Sequence, residues 1–132
     1  MSSDLFKSPE WMLNVLYKAN KTDIETYRVY KTYSRFILDG RDFFGVTENI
    51  NESTLRFKPQ TDLADDCLFS LTFFAHYIRN RCERYGAPSV QYYESAGKQA
   101  FINTGFPMIS ENWDFWINYV NEHFKGINTS SE

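Results

Sequence analysis

The stretch 62–85, DLADDCLFSLTFFAHYIRNRCERY, decides the fold. Cys67, Leu71, Phe74, Ile78, Cys82 and Tyr85 recur at steps of three and four, so on a helix they form one apolar stripe. Leu68 and Ala75 widen that stripe, and Phe69, Phe73 and Tyr77 add a second. The first turns are then apolar over most of their circumference, which is the pattern of a helix buried at the centre of its domain. Asp62, Asp65 and Asp66 stand at the start and Arg79, Arg81 and Arg84 at the end, the distribution a helix macrodipole favours. One continuous helix is expected over 62–85, with its acidic residues acting as dipole partners.

Downstream, a further helix is expected over about 88–103, with Val90, Tyr93, Gly97, Ala100 and Phe101 inward. The small residues Ala96 and Gly97 would let a neighbour approach closely. Another begins at Ser110 and carries Trp113, Trp116, Ile117, Val120 and Phe124 on one face. Upstream, Ser8 is placed as an N-cap, with Pro9 at the first helical position and Glu10 at the positive end. Met12, Val15, Leu16 and Ala19 continue that helix, and Phe6 lies close enough to staple its entry. Thr22-Asp23-Ile24-Glu25 reads as a capping box opening a second helix. The body of that helix is rich in Tyr, Thr and Val, which favours strand by propensity. Periodicity decides for helix, because Tyr30, Tyr33 and Ile37 share one face while Arg28, Lys31 and Arg35 share the opposite one.

Between the second and third helices the helical period disappears. Residues 42–47 and 54–58 could pair as a small β-hairpin, or the segment could form an ordered loop. Gly40, Gly86, Gly105 and Gly126 each follow a helical segment, where a left-handed residue is wanted. The expected architecture is a mainly α, compact bundle of about five helices around a buried central helix, a single domain over 1–132 with ends fraying at about 1–6 and 127–132.

The chain has 132 residues, 42% hydrophobic and 18% aromatic, which suffices for a core and is too apolar for disorder. Fourteen Lys and Arg stand against 17 Asp and Glu, a net charge of −3. Proteins that grip nucleic acid by charge alone usually show the opposite balance. No apolar run approaches the length needed to span a bilayer, and the N-terminus lacks the pattern of a secretory signal. A cytoplasmic location is therefore expected, and the sequons at Asn20, Asn51 and Asn128 carry little weight. On one helix Cys67 and Cys82 would stand roughly 22 Å apart, too far for a disulfide.

No motif names a reaction. Cys67, Cys82, His76 and His123 lack metal-ligand spacing, and His76 falls in a polar stripe with Thr72, Arg79 and Glu83, away from the core. Ser95-Ala96-Gly97-Lys98 matches a Ser-x-x-Lys pattern, but the companion motifs of that chemistry are missing. No glycine-rich phosphate loop occurs. Asp65-Asp66 reads as an ordinary dipole pair. Catalytic, cofactor-binding and metal residues are thus all expected to be none, and no cofactor is implied.

The remaining expectation is a non-enzymatic interaction protein of a bacterial or phage cytoplasm. It would be a regulator, antitoxin-like or immunity-like, that recognises a protein partner and has no membrane role. Abundant Tyr and Trp suit such a surface. The alternative is RNA or DNA binding by the basic face of the second helix, Arg28, Lys31 and Arg35. Arg79 and Arg81, by contrast, point about 200° apart on a helix, so the print-basic run 79–84 is not a single patch. A third reading is a small-molecule or enzymatic role in an aromatic-lined pocket between helices.

Overall fold

In the computed structural model of the chain, residues 8–39 and 59–124 are described, and they are mainly α-helical. Seven helices appear among them: α1 (Pro9–Tyr17), α2 (Asp23–Ile37), α3 (Gln60–Phe73), α4 (Ala75–Tyr85), α5 (Val90–Asn103), α6 (Pro107–Glu111) and α7 (Trp113–Phe124). The expected hairpin or loop at 42–58, the Phe6 staple, Gly40, Gly126 and the tail lie outside the described residues.

Local chemistry sets the helix starts. Ser8 accepts a hydrogen bond from the Trp11 amide, with Pro9 next in line where its missing N–H costs nothing. Thr22 caps α2 by accepting from the Glu25 amide, and Ser89 caps α5 by accepting from the Tyr92 amide. Between α1 and α2 the chain turns through Asn20, whose φ is +63°, a left-handed conformation that Asn tolerates better than most residues. Gly86 ends α4 at φ +70°.

The long central helix is in fact two helices. Phe74 leaves the helical region, with φ −131° and ψ 26°, and divides α3 from α4. Asn121 of α7 donates to the Thr72 carbonyl beside that break at 2.8 Å. The two halves differ sharply in burial. Every residue from 63 to 72 is buried in α3, whereas Ile78 is the only buried residue of α4. Tyr85, expected on the inner stripe, is 73% exposed, and Cys82 is only half-buried. The last expected helix also divides, into the short α6 and the longer α7.

α3 is the centre of the bundle. It packs most extensively on α5, and also on α2 and α7. Gly97 permits the α3–α5 approach, because a Cβ there would stand 2.5 Å from the Trp113 ring and 2.7 Å from Cys67 Cβ. Trp113, Trp116, Tyr33, Phe101 and Phe124 are the largest fully buried side chains of the interior. Each such aromatic buries roughly 150–250 Å², about 4–6 kcal/mol of apolar transfer, so a few of them dominate the core. α7 is fastened to the N-terminal helices by polar bonds as well. Tyr119 donates to the Val15 carbonyl at 2.7 Å, and Trp116 Nε1 donates to Glu25 at 2.6 Å. Glu25 therefore does not close a capping box. Its carboxylate crosses the interior to Trp116 and Asn112 instead.

Candidate functional site

An open groove of about 900 Å³ lies between α2 and the start of α3. α2 supplies one wall because residues 24, 27, 28, 31 and 35 fall on one helical face. The first turns of α3 and the segment around Thr104 and Phe106 supply the other wall.

The floor of the groove is a buried polar network. Arg28, only 7% exposed, donates from Nη1 to Asp65 Oδ1 at 2.7 Å and to the Thr32 hydroxyl at 3.0 Å. Thr32 in turn donates to the same Asp65 oxygen at 2.7 Å. Arg35 Nη1 takes the other oxygen, Oδ2, at 2.6 Å, and also approaches Asp62 at 3.2 Å. One carboxylate thus binds both arginines. The guanidinium carbon of Arg28 lies 5.0 Å from the Phe101 ring centre and 5.5 Å from that of Phe106, within range of cation–π attraction. Arg28 Nη2 is buried and has no hydrogen-bond partner among the described residues, so those rings are its neighbours instead of an acceptor. Burial opposes the charge on Arg35, yet its hydrogen bond to Asp65 and the nearby Asp62 and Asp66 charges outweigh that and raise its pKa.

This geometry revises the basic face expected on α2. Arg28, Lys31 and Arg35 do share one side of the helix, but that side meets α3. Arg28 is buried, Arg35 is half-buried and committed to two carboxylates, and Lys31 alone is exposed. The helix begins at Gln60, so Asp65 lies beyond the first turn and acts as a counter-ion rather than a dipole partner. Neutralising one buried and one half-buried cation is a sounder use of a buried carboxylate. Thr72, expected on the polar stripe, is also buried, and its hydroxyl lies 2.6 Å from that of Tyr33. Thr72 donates to the Leu68 carbonyl, which makes Tyr33 the donor of the pair.

Other candidates are placed simply. His76 is exposed, as expected from its polar stripe, and His123 is exposed and stacked on Tyr119. Lys98 of the Ser-x-x-Lys pattern pairs with Glu94 at 2.8 Å. No disulfide joins Cys67 and Cys82. Among the described residues no three His, Cys, Asp or Glu side chains gather as a metal ion would require. Nor is any helix among them long and apolar enough to cross a membrane.

The sequence reading overlooked Thr32 and Asp65 as network members. A signal existed: Asp62 and Asp65 are three apart, while Arg28 and Arg35 are seven apart, so each pair presents its charges on one side of its helix.

The upper edge of the groove is apolar. Ile24 is 65% exposed, Tyr27 50% and Tyr17 39%. Comparison with family models, curated proteins and solved structures finds no match to this chain.

Proposed function

We propose that this protein is a non-enzymatic interaction protein that recognises a segment of another protein in the groove between α2 and α3. It would act in the cytoplasm as a regulator, in the manner of an antitoxin or an immunity protein. The observation that carries the reading is the exposure of Ile24, Tyr27 and Tyr17 along one edge of a groove with a fixed charged floor. An exposed β-branched residue beside two tyrosines gains by being covered, and tyrosines are common anchors at interfaces. The ion pairs with Asp65 and Asp62 hold Arg35 in place, so little ordering entropy opposes binding there.

Phosphate recognition by Arg28, Lys31 and Arg35 has less support. Two of those charges are already answered by Asp65 and Asp62, and Lys31 alone would make a weak nucleic-acid contact. The open shape of the groove suits a chain segment better than an enclosed small molecule.

The test is affinity capture from native lysate, with and without nuclease, comparing the wild type with an Ile24→Asp/Tyr27→Asp variant. The expected result is a protein that survives nuclease treatment and is captured at least about tenfold less by the variant. Equal capture by both proteins, or recovery of RNA alone, would overturn the reading.

A further inference from the structure

The second half of the sequence-expected central helix has a surface unlike the rest of the molecule. α4 carries Arg79, Arg81 and Arg84 against a single acid, Glu83, a local charge of +2 within a chain of net −3, so the remainder carries −5. None of the three arginines forms an ion pair among the described residues. Arg79 and Arg84 are exposed, and Arg81 is half-buried beside the Tyr77 ring, 5.9 Å from its centre.

Read as a helix with one buried side, the run 79–84 looks scattered. Ile78 is the one buried residue of α4, Ala75, Tyr77, Arg81 and Cys82 are half-buried, and the residues from Arg79 through Glu83, His76 and Asn80 to Arg84 form an exposed arc of about 140°. At about 100° per residue, Arg79 marks one edge of the open arc, and Arg84 and Arg81 mark the other at about 140° and 200°. Glu83, His76 and Asn80 lie between them, at about 40°, 60° and 100° from Arg79, and all three are exposed. Cations on two flanks with polar tips between them do not match a flat acidic surface. They match two walls of phosphate with base edges in the middle.

We infer that α4 is a second binding site, separate from the α2–α3 groove, and that its occupant is the major groove of B-form duplex DNA. A helix with side chains is about 10–12 Å across and the B-form major groove about 12 Å wide, whereas the A-form groove of duplex RNA is too narrow to admit one. Arg79 on one flank and Arg84 and Arg81 on the other contact phosphates. Asn80 and His76 face the base edges, and Glu83 accepts from a cytosine amino group. The acidity of the rest of the chain keeps the attraction local and the association weak, with strong dependence on salt.

The probe is a fluorescein-labelled 20-base-pair DNA duplex of mixed sequence, read by fluorescence anisotropy from 50 to 200 mM salt. Three phosphate contacts predict an affinity loss of about 40-fold over that fourfold change in salt. An Arg79→Ala/Arg84→Ala variant reduces the slope of log affinity against log salt by about two. Both residues are exposed, so its helical circular dichroism stays as in the wild type. Lys31→Ala, in the other groove, leaves DNA binding unchanged. Absence of binding at 50 mM salt, or an unchanged slope in the double variant, would sink the inference. So would equal binding of duplex RNA, or competition by polyglutamate as effective as unlabelled DNA, which would assign α4 to an acidic protein surface.

Discussion

α3 and α4 come from one uninterrupted apolar pattern, yet one is the buried axis of the bundle and the other an exposed arm. α3 is enclosed by α2, α5 and α7, and even its polar residues Asp65, Ser70 and Thr72 are buried. α4 begins one residue later and keeps only Ile78 inside. The difference teaches that hydrophobic periodicity reports which side of a helix could be buried, and the number of available neighbours decides how much is. α3 has three helices to pack against, and its carboxylates are useful there because α2 brings two arginines. α4 has no such surroundings, so its arginines form no ion pair among the described residues, and Arg79 and Arg84 stay exposed.

The comparison is broken most severely at Asp65. Replacing it in Asp65→Ala leaves Arg28 buried with no carboxylate, and loss of one partner of a buried ion pair typically costs about 3–5 kcal/mol. Urea denaturation followed by circular dichroism should show a drop of that size. A change below 1 kcal/mol would mean that water reaches Arg28 and that α3 is less enclosed than its burial indicates.

A smaller effect is expected on the same side at high pH. Burial pushes the Tyr33 phenol above its ordinary value of 10.0, with the Thr72 hydroxyl beside it acting the other way. Burial does the same to Tyr93, with the neighbouring Cys67 adding to it. Below pH 10 the folded and unfolded tyrosines are equally protonated and the contribution is complete. Above pH 10 the unfolded chain loses its protons first, so stability falls as pH rises. Each tyrosine should contribute a decline of up to about 1.4 kcal/mol per pH unit. Unfolding midpoints at pH 8, 10 and 11 should therefore fall more gently in Tyr33→Phe than in the wild type, and identical slopes would contradict the burial argument. α4 supplies the smallest effect. Tyr85→Ala removes a ring that is 73% exposed, so thermal unfolding should place its cost within about 0.5 kcal/mol. A larger loss would show that α4 is packed more tightly than α3's contrast with it implies.

Much of the fold was legible because its signals are local. Ser8, Pro9 and Thr22 start helices where cap chemistry puts them, and Trp113, Trp116, Val120 and Phe124 form the inner face their spacing predicted. Gly97 admits a neighbour as its size suggested. The break at Phe74 was not legible, since neither Pro nor Gly marks it and the polar group beside it comes from Asn121, 49 residues away from Thr72 in sequence. The floor of the groove was half legible. The helical wheel put Arg28, Lys31 and Arg35 together correctly but could not say that α3 would face them. Glu25 was missed for the same reason, since a cap box and a long-range acceptor look alike in four residues.

The bond between Glu25 and Trp116 joins positions 91 residues apart. A ribosome releases α2 well before α7, since synthesis runs at about 5–20 residues per second from the N-terminus. Until the last helix emerges, the early hairpin of α1 and α2 holds a carboxylate that is destined for the interior but has neither of its donors. Burying that carboxylate in advance would leave it without a partner, at a cost in free energy. The final dozen described residues bring Trp116 to Glu25 and Tyr119 to the Val15 carbonyl, and so complete the polar bonds of the first two helices.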